Sequence, residues 1–102
     1  MIELCRLEDL PDGGARRFEV DGRAVAVVRI GDDVYAIGDR CSHQDISLSE
    51  GEVDPDALTI ECWKHGSTFD LRTGKPETLP ATQPVPVYDV TVRDGTVFLE
   101  IS

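Results

Sequence analysis

Cys41-Ser42-His43 and Cys62-Trp63-Lys64-His65-Gly66-Ser67-Thr68-Phe69-Asp70 are the stretches around which this chain is organised. Each begins with one cysteine and one histidine, two positions apart in the first and three in the second. Residues i and i+2 of an extended segment point to the same side. Residues i and i+3 of a β-turn come within about 7 Å. Each stretch can therefore present a thiolate and an imidazole together at a loop tip, and two facing tips make a site of two sulfur and two nitrogen ligands. The chain holds only three cysteines and two histidines, and four of these five fall into the pattern.

Two metal sites accept such a ligand set. One is a tetrahedral structural zinc. The other is a two-iron, two-sulfide cluster in which two histidines replace two cysteines on one iron. Zinc modules commonly pair cysteine with cysteine and histidine with histidine at short spacing. Here each loop is mixed, which suits a two-iron cluster, since each loop can give its cysteine to one iron and its histidine to the other. The ligand order, the glycine after the second histidine and the strand-like Thr68-Phe69-Asp70 that follows resemble the Rieske [2Fe-2S] ferredoxin family.

The resemblance covers essentially the whole chain. It implies that Cys41 and Cys62 bind an inner iron and that His43 and His65 bind an outer, solvent-facing one. Ser67 matches a serine that bonds a bridging sulfide in the respiratory branch of the family. Gly66 stands where the backbone would approach the sulfides or simply turn, Trp63 beside the cluster as a docking or shielding aromatic, and Pro80 in a proline loop that would cover it. The respiratory branch also joins its two loops by a disulfide; here those positions are Ile46 and Lys64, which cannot form one. Its tyrosine four residues after the second histidine is Phe69 here, so one hydrogen bond to the cluster is missing. Both departures imply a ferredoxin-type centre toward the lower part of the Rieske range of potentials.

A chain of 102 residues with a formal net charge of −10 reads as one acidic domain. Such a charge argues against nucleic acid and anionic membrane surfaces, both of which need a basic face, and favours docking on a basic partner. Cys5 is left without a partner for an internal disulfide and reads as a small buried residue in the first strand. No apolar run reaches the roughly 18 residues of a membrane span. The charged N-terminus, with Glu3, Arg6, Glu8 and Asp9, is unlike a signal peptide. A soluble, cytoplasmic, monomeric protein is expected.

Everything outside the two loops reads as short strands and turns. Strands are expected over 2–7, 15–20, 23–30 and 34–37, with Asp21-Gly22 as a two-residue hairpin. In 23–30 the apolar Ala24, Ala26, Val28 and Ile30 share one face, opposite Arg23 and Arg29. Ser49-Glu50-Gly51 and Asp54-Pro55-Asp56 are turn signals, the second closing a hairpin that carries Cys62 back beside the first loop. Residues 72–75 read as a further turn, and 79–86, with three prolines, as an extended segment. Tyr88, Val90 and Val92 are expected to pair with Val97, Leu99 and Ile101 across Asp94-Gly95. The fold class is all-β: a Rieske-like antiparallel sandwich or barrel base from 1–39 and 81–102, with a small cluster-binding subdomain over 40–80 inserted in it. The strands follow from the residue pattern, and the division into two units follows from the resemblance.

The leading function is a one-electron carrier, not itself an enzyme, passing electrons from a flavin-dependent ferredoxin reductase to the terminal oxygenase of a ring-hydroxylating system. Rieske proteins of iron–sulfur cluster assembly or of nitrite reductase are alternatives within the family, and a zinc-stabilised interaction module is one outside it. An oxygenase would need a further site of two histidines and a carboxylate, and both histidines are already used.

Overall fold

The computed structural model describes residues 2–40, 47–62, 66–77 and 84–100. Among the described residues nine strands form two antiparallel sheets, and the only helical elements are two single 3₁₀ turns. The larger sheet runs β1 (Ile2–Arg6), β9 (Thr96–Glu100), β8 (Val87–Arg93), β4 (Asp33–Gly38), β3 (Arg23–Ile30), β2 (Gly14–Val20). It therefore joins strands from both ends of the chain. The smaller sheet, β5 (Val53–Asp54), β6 (Thr59–Glu61) and β7 (Thr68–Asp70), comes from the chain between them.

Both expected two-residue hairpins are present. Asp21 and Gly22 have φ of 51° and 77°, and Asp94 and Gly95 have 51° and 75°. Positive φ at both central positions gives the turn whose twist matches that of the flanking strands. The register follows: Val92 faces Val97 and Val90 faces Leu99. The partner expected for Tyr88, Ile101, lies outside the described residues.

The sheet curls on itself. Val20, Val25, Val27, Ala36, Val97 and Leu99 are buried together with Leu10, and Ile2, Leu4, Tyr88 and Val90 pack against them. All six strands contribute to this one core. In a flat sheet the two edge strands would stand about 24 Å apart, five spacings of roughly 4.8 Å, and could not share it. Arg29 ties the curl at one end: its guanidinium donates to the carbonyls of Leu7 (3.3 Å), Leu10 (3.1 Å) and Gly31 (2.8 Å).

A second core lies on the outside of β3 and β4. Ala26, Val28 and Ile37 pack there against Leu48, Ile60, Cys62, Phe69, Leu71 and Val85. Strand β3 thus buries both faces, Val25 and Val27 inward and Ala26 and Val28 toward the smaller sheet. The reading of one apolar face opposite an arginine face captured only half of this. The arginines stand at the strand's ends, and the middle of the strand is enclosed on both sides. Cys5 is half-buried on edge strand β1 beside a register shift, less enclosed than expected, and burial is the main cause that raises its thiol pKa.

Candidate metal centre

The second ligand loop is built on backbone bonds. The Cys62 N–H donates to the Ser67 carbonyl at 2.6 Å, and the Gly66 N–H donates to the Cys62 carbonyl at 2.9 Å. These bonds hold Cys62 directly against Gly66 and Ser67. Gly66 has a φ of +74°, a region costly for other residues, while a Cβ there would come no nearer than 3.6 Å to the Glu61 carboxylate. Conformation, not space among the described atoms, calls for glycine at 66. Cys62 and Ser67 are both fully buried at the loop's base. Phe69 is fully buried in the same core as Cys62.

The first ligand loop, 41–46, springs from an antiparallel bridge between Arg40 and Ser47. Immediately after it the chain makes a 3₁₀ turn, Leu48–Glu50, whose Leu48 is buried beside Cys62 and Ile60. Gly51 then lies so close to β6 that a Cβ on it would stand 1.7 Å from the Glu61 carbonyl oxygen. The Glu61 N–H donates to the Glu52 carbonyl at 2.8 Å. The exit of the first loop and the entry of the second are therefore packed together. The sequence reads Gly51 as a turn residue; the structure gives it the further task of letting two backbones touch.

Just before the first ligand stretch stands a residue the sequence reading missed. The Asp39 side chain is 2% exposed. It accepts the Ser47 hydroxyl and the Ser49 N–H (2.8 Å), and its Oδ2 lies 3.5 Å from Nε of Arg17. Asp39 is one of 20 acidic residues, and nothing in its spacing distinguishes it from the solvated ones. A further unread signal is charge: no lysine or arginine occurs between Arg40 and Lys64, where Asp45, Glu50, Glu52, Asp54, Asp56 and Glu61 all fall. Glu52, Asp54 and Glu61 line a recess of about 350 Å³ on the smaller sheet, with Thr59 and Thr68.

Cys41, His43, Trp63, His65 and Pro80 lie outside the described residues, as do Ile46 and Lys64. Among the described residues no three histidine, cysteine or acidic side chains gather as a metal site. Cys62, Gly66 and Ser67 are the expected site residues that can be placed. They are compatible with a cluster: a buried cysteine hydrogen-bonded to a buried serine, packed beside Leu48, which follows the first ligand stretch.

The family profile of the Rieske [2Fe-2S] domain matches residues 1–89. The chain belongs to the Rieske [2Fe-2S] family. Its cofactor is accordingly a Rieske-type [2Fe-2S] cluster, and the zinc alternative is set aside. The 3-phenylpropionate/cinnamic acid dioxygenase ferredoxin subunit of Photorhabdus laumondii is 43% identical over 99 residues, covering 97% of this chain and 92% of that protein. The ferredoxin of carbazole 1,9a-dioxygenase from Nocardioides aromaticivorans IC177 superposes with a TM-score of 0.92 at 40% identity, over 97% of each chain. A complex of reduced oxygenase and oxidised ferredoxin in carbazole 1,9a-dioxygenase contains a chain matched with a TM-score of 0.88 at 40% identity, over 97% of this chain and all of that one. Among the described residues no helix is long and apolar enough to cross a membrane.

Proposed function

We propose that this protein is the electron-carrying ferredoxin of a ring-hydroxylating dioxygenase system, taking one electron at a time from a flavin-dependent reductase and delivering it to a terminal oxygenase. The observation that carries the reading is the match over nearly the full length of both chains, at 40% identity, to a chain of the complex of oxygenase and ferredoxin in carbazole 1,9a-dioxygenase. The curated relatives bear the same kind of name, ferredoxin subunits of a dioxygenase. These matches favour the dioxygenase reading over the nitrite-reductase and cluster-assembly alternatives.

Cys41 and Cys62 would hold one iron, and His43 and His65 the other. The cluster supplies a one-electron couple. The two histidines stand where thiolates would add negative charge, which favours the reduced state relative to a four-cysteine centre. Cys62, Ser67 and Phe69 exclude water on the inner side, in line with their complete burial. The base would span 1–39 and 81–102 and the cluster-binding unit 40–80, matching the origin of the two sheets.

Docking is assigned to a basic surface on the partner. The net charge of −10 and the acidic recess of Glu52, Asp54 and Glu61, on the sheet that leads into Cys62, both favour it. The protein is taken to act as a soluble cytoplasmic monomer.

Purified protein is expected to be red-brown, to carry about two irons and two sulfides per chain, and to give a two-iron EPR signal on reduction. His43→Ala and His65→Ala are expected to lose it. Mixing the reduced protein with a dioxygenase oxygenase component should reoxidise it in a single exponential. A colourless protein with one zinc, or a loaded protein that no such oxygenase reoxidises, would overturn the proposal.

A further inference from the structure

We propose that Asp39 is a positioning residue for the first cluster-binding stretch: its buried carboxylate fastens the chain before that stretch to Ser47 and Ser49 after it, and so holds together the two ends between which Cys41 and His43 lie. The inference rests on the assignment of these two residues as cluster ligands.

The two ligand loops are held by different means. The second closes on its own backbone, through the Cys62–Ser67 and Gly66–Cys62 bonds. At the first, the described residues on either side form a bridge, Arg40 with Ser47. Asp39 stands one residue before that bridge and adds side-chain bonds to it. Its N–H donates to the Ala24 carbonyl of β3 at 3.0 Å, which fixes it to the larger sheet. Its own carbonyl accepts the Leu48 N–H. Its Oδ1 accepts the Ser49 N–H, and its Oδ2 accepts the Ser47 hydroxyl.

The 3₁₀ turn depends on this. The first N–H groups of any helical turn have no partner within it and are commonly satisfied by the side chain at its N-cap. Ser47 occupies the N-cap, but its side chain makes no cap bond. Its hydroxyl is engaged by Asp39 and lies 2.8 Å from the Ser49 hydroxyl. Asp39, across the loop, does the capping instead. One carboxylate thus joins the strand that leads into the loop to the turn that follows it.

A buried carboxylate is costly unless charge and hydrogen bonds compensate it. Here the compensation comes from the loop's own exit and from Arg17, whose other end-group reaches Glu19 at 3.0 Å. The arrangement is stable only when both legs of the loop are in place, which is what positioning requires. Groups behind metal ligands fix the ligands' orientation, and their loss typically weakens metal retention by about 10- to 100-fold.

The test compares Asp39→Ala, Asp39→Asn and Ser47→Ala in the cluster-loaded protein. An asparagine keeps an oxygen for the Ser49 N–H, and its amide can donate to the Ser47 hydroxyl, which then turns to Ser49. Asp39→Ala is expected to release iron to a chelator about tenfold faster or more, and to broaden the EPR lines of the reduced cluster through a spread of ligand geometries. Asp39→Asn is expected to retain wild-type line widths and release within about twofold of wild type, and Ser47→Ala to fall between them. Hydrogen exchange of the Ser49 amide should accelerate in the alanine variant and not in the asparagine one. Should Asp39→Ala fail to fold, Ser47→Ala and Asp39→Asn carry the comparison. Wild-type release and line widths in Asp39→Ala, or in Ser47→Ala where it stands alone, would overturn the inference. So would an Asp39→Asn variant as impaired as the alanine one, since charge would then matter and not geometry. A wild-type protein without a two-iron cluster overturns the parent reading instead, so the two failures are distinguishable.

Discussion

Gly51→Ala isolates the contact that packs the two ligand loops together. The backbone at Gly51 is extended, with φ −82° and ψ 176°, so alanine suffers no conformational penalty. The whole cost is steric. The new Cβ would lie 1.7 Å from the Glu61 carbonyl oxygen, 2.9 Å from its carbon and 3.2 Å from the Leu48 oxygen. None of these is the end of a flexible side chain, so β6 must move away from the 3₁₀ turn. Overpacking of this kind costs about 1–3 kcal/mol. The Glu61–Glu52 hydrogen bond, lost or bent by the shift, adds about 1 kcal/mol. Fewer unfolded conformations for alanine return about 0.4–1 kcal/mol. The net loss is about 2–3 kcal/mol, or roughly 10–20 °C in Tm for a domain of this size. Glu61 precedes Cys62, so the displacement reaches a proposed cluster ligand, and the EPR spectrum of the loaded protein should change as well. Gly31→Ala is the control. Gly31 has a φ of +63° and no atom within 4 Å of its Cβ position, and it lies at the opposite end of β4 from Asp39. It should cost about 1–2 kcal/mol through backbone strain and leave the cluster spectrum untouched. Urea unfolding followed by circular dichroism, with EPR on the same samples, reads both quantities. A Gly51→Ala protein within about 0.5 kcal/mol of wild type, with an unaltered spectrum, would refute the packing argument.

Further outcomes concern charge and hydrogen bonding. Ser67→Ala should lower the reduction potential by about 40 mV, since a donor that gains about 1 kcal/mol on reduction is removed and about 59 mV corresponds to 1.4 kcal/mol; protein-film voltammetry on fully loaded protein measures it, and an unchanged or raised potential would show that the hydroxyl does not bond the cluster. The rate of electron transfer to the oxygenase should fall as salt rises, because exposed charges are screened beyond about 8 Å at physiological ionic strength; a stopped-flow rate indifferent to salt would move the docking contact to apolar residues. Arg72, hydrogen-bonded to Asp70 at 3.2 Å, holds the Asp70 carboxyl below its ordinary range. A depressed folded-state pKa contributes stability that is present above the unfolded value of about 3.9 and is lost as pH falls through the folded one. Asp70→Asn should therefore flatten the acid limb of the urea midpoint against pH below about 4, and an unchanged limb would exclude Asp70 as its source.

The hairpins were legible in the sequence because their information is local. Asp21-Gly22 and Asp94-Gly95 each supply two residues that tolerate positive φ, and alternation of apolar residues fixes which pairs face each other, as with Val90 and Leu99. The family was legible for a similar reason: metal chemistry demands particular side chains at particular spacings, and few other constraints place Cys-x-His and Cys-x-x-His in one short chain. What tertiary structure decided is whatever depends on which surfaces meet. Strand β3 is enclosed on both faces because the larger sheet curls inward and the smaller sheet covers its outside; the unbroken apolar run 24–28 is compatible with this, but which elements cover each face is decided by the tertiary structure. Gly51 and a plain turn glycine look the same until the Glu61 carbonyl is brought against it. Asp39 looks like any acidic residue of an acidic chain until Ser47, Ser49 and Arg17 converge on it and remove it from water. Spacing along the chain points to the proposed ligands, whereas contacts between residues far apart in sequence decide how the segments flanking them are held.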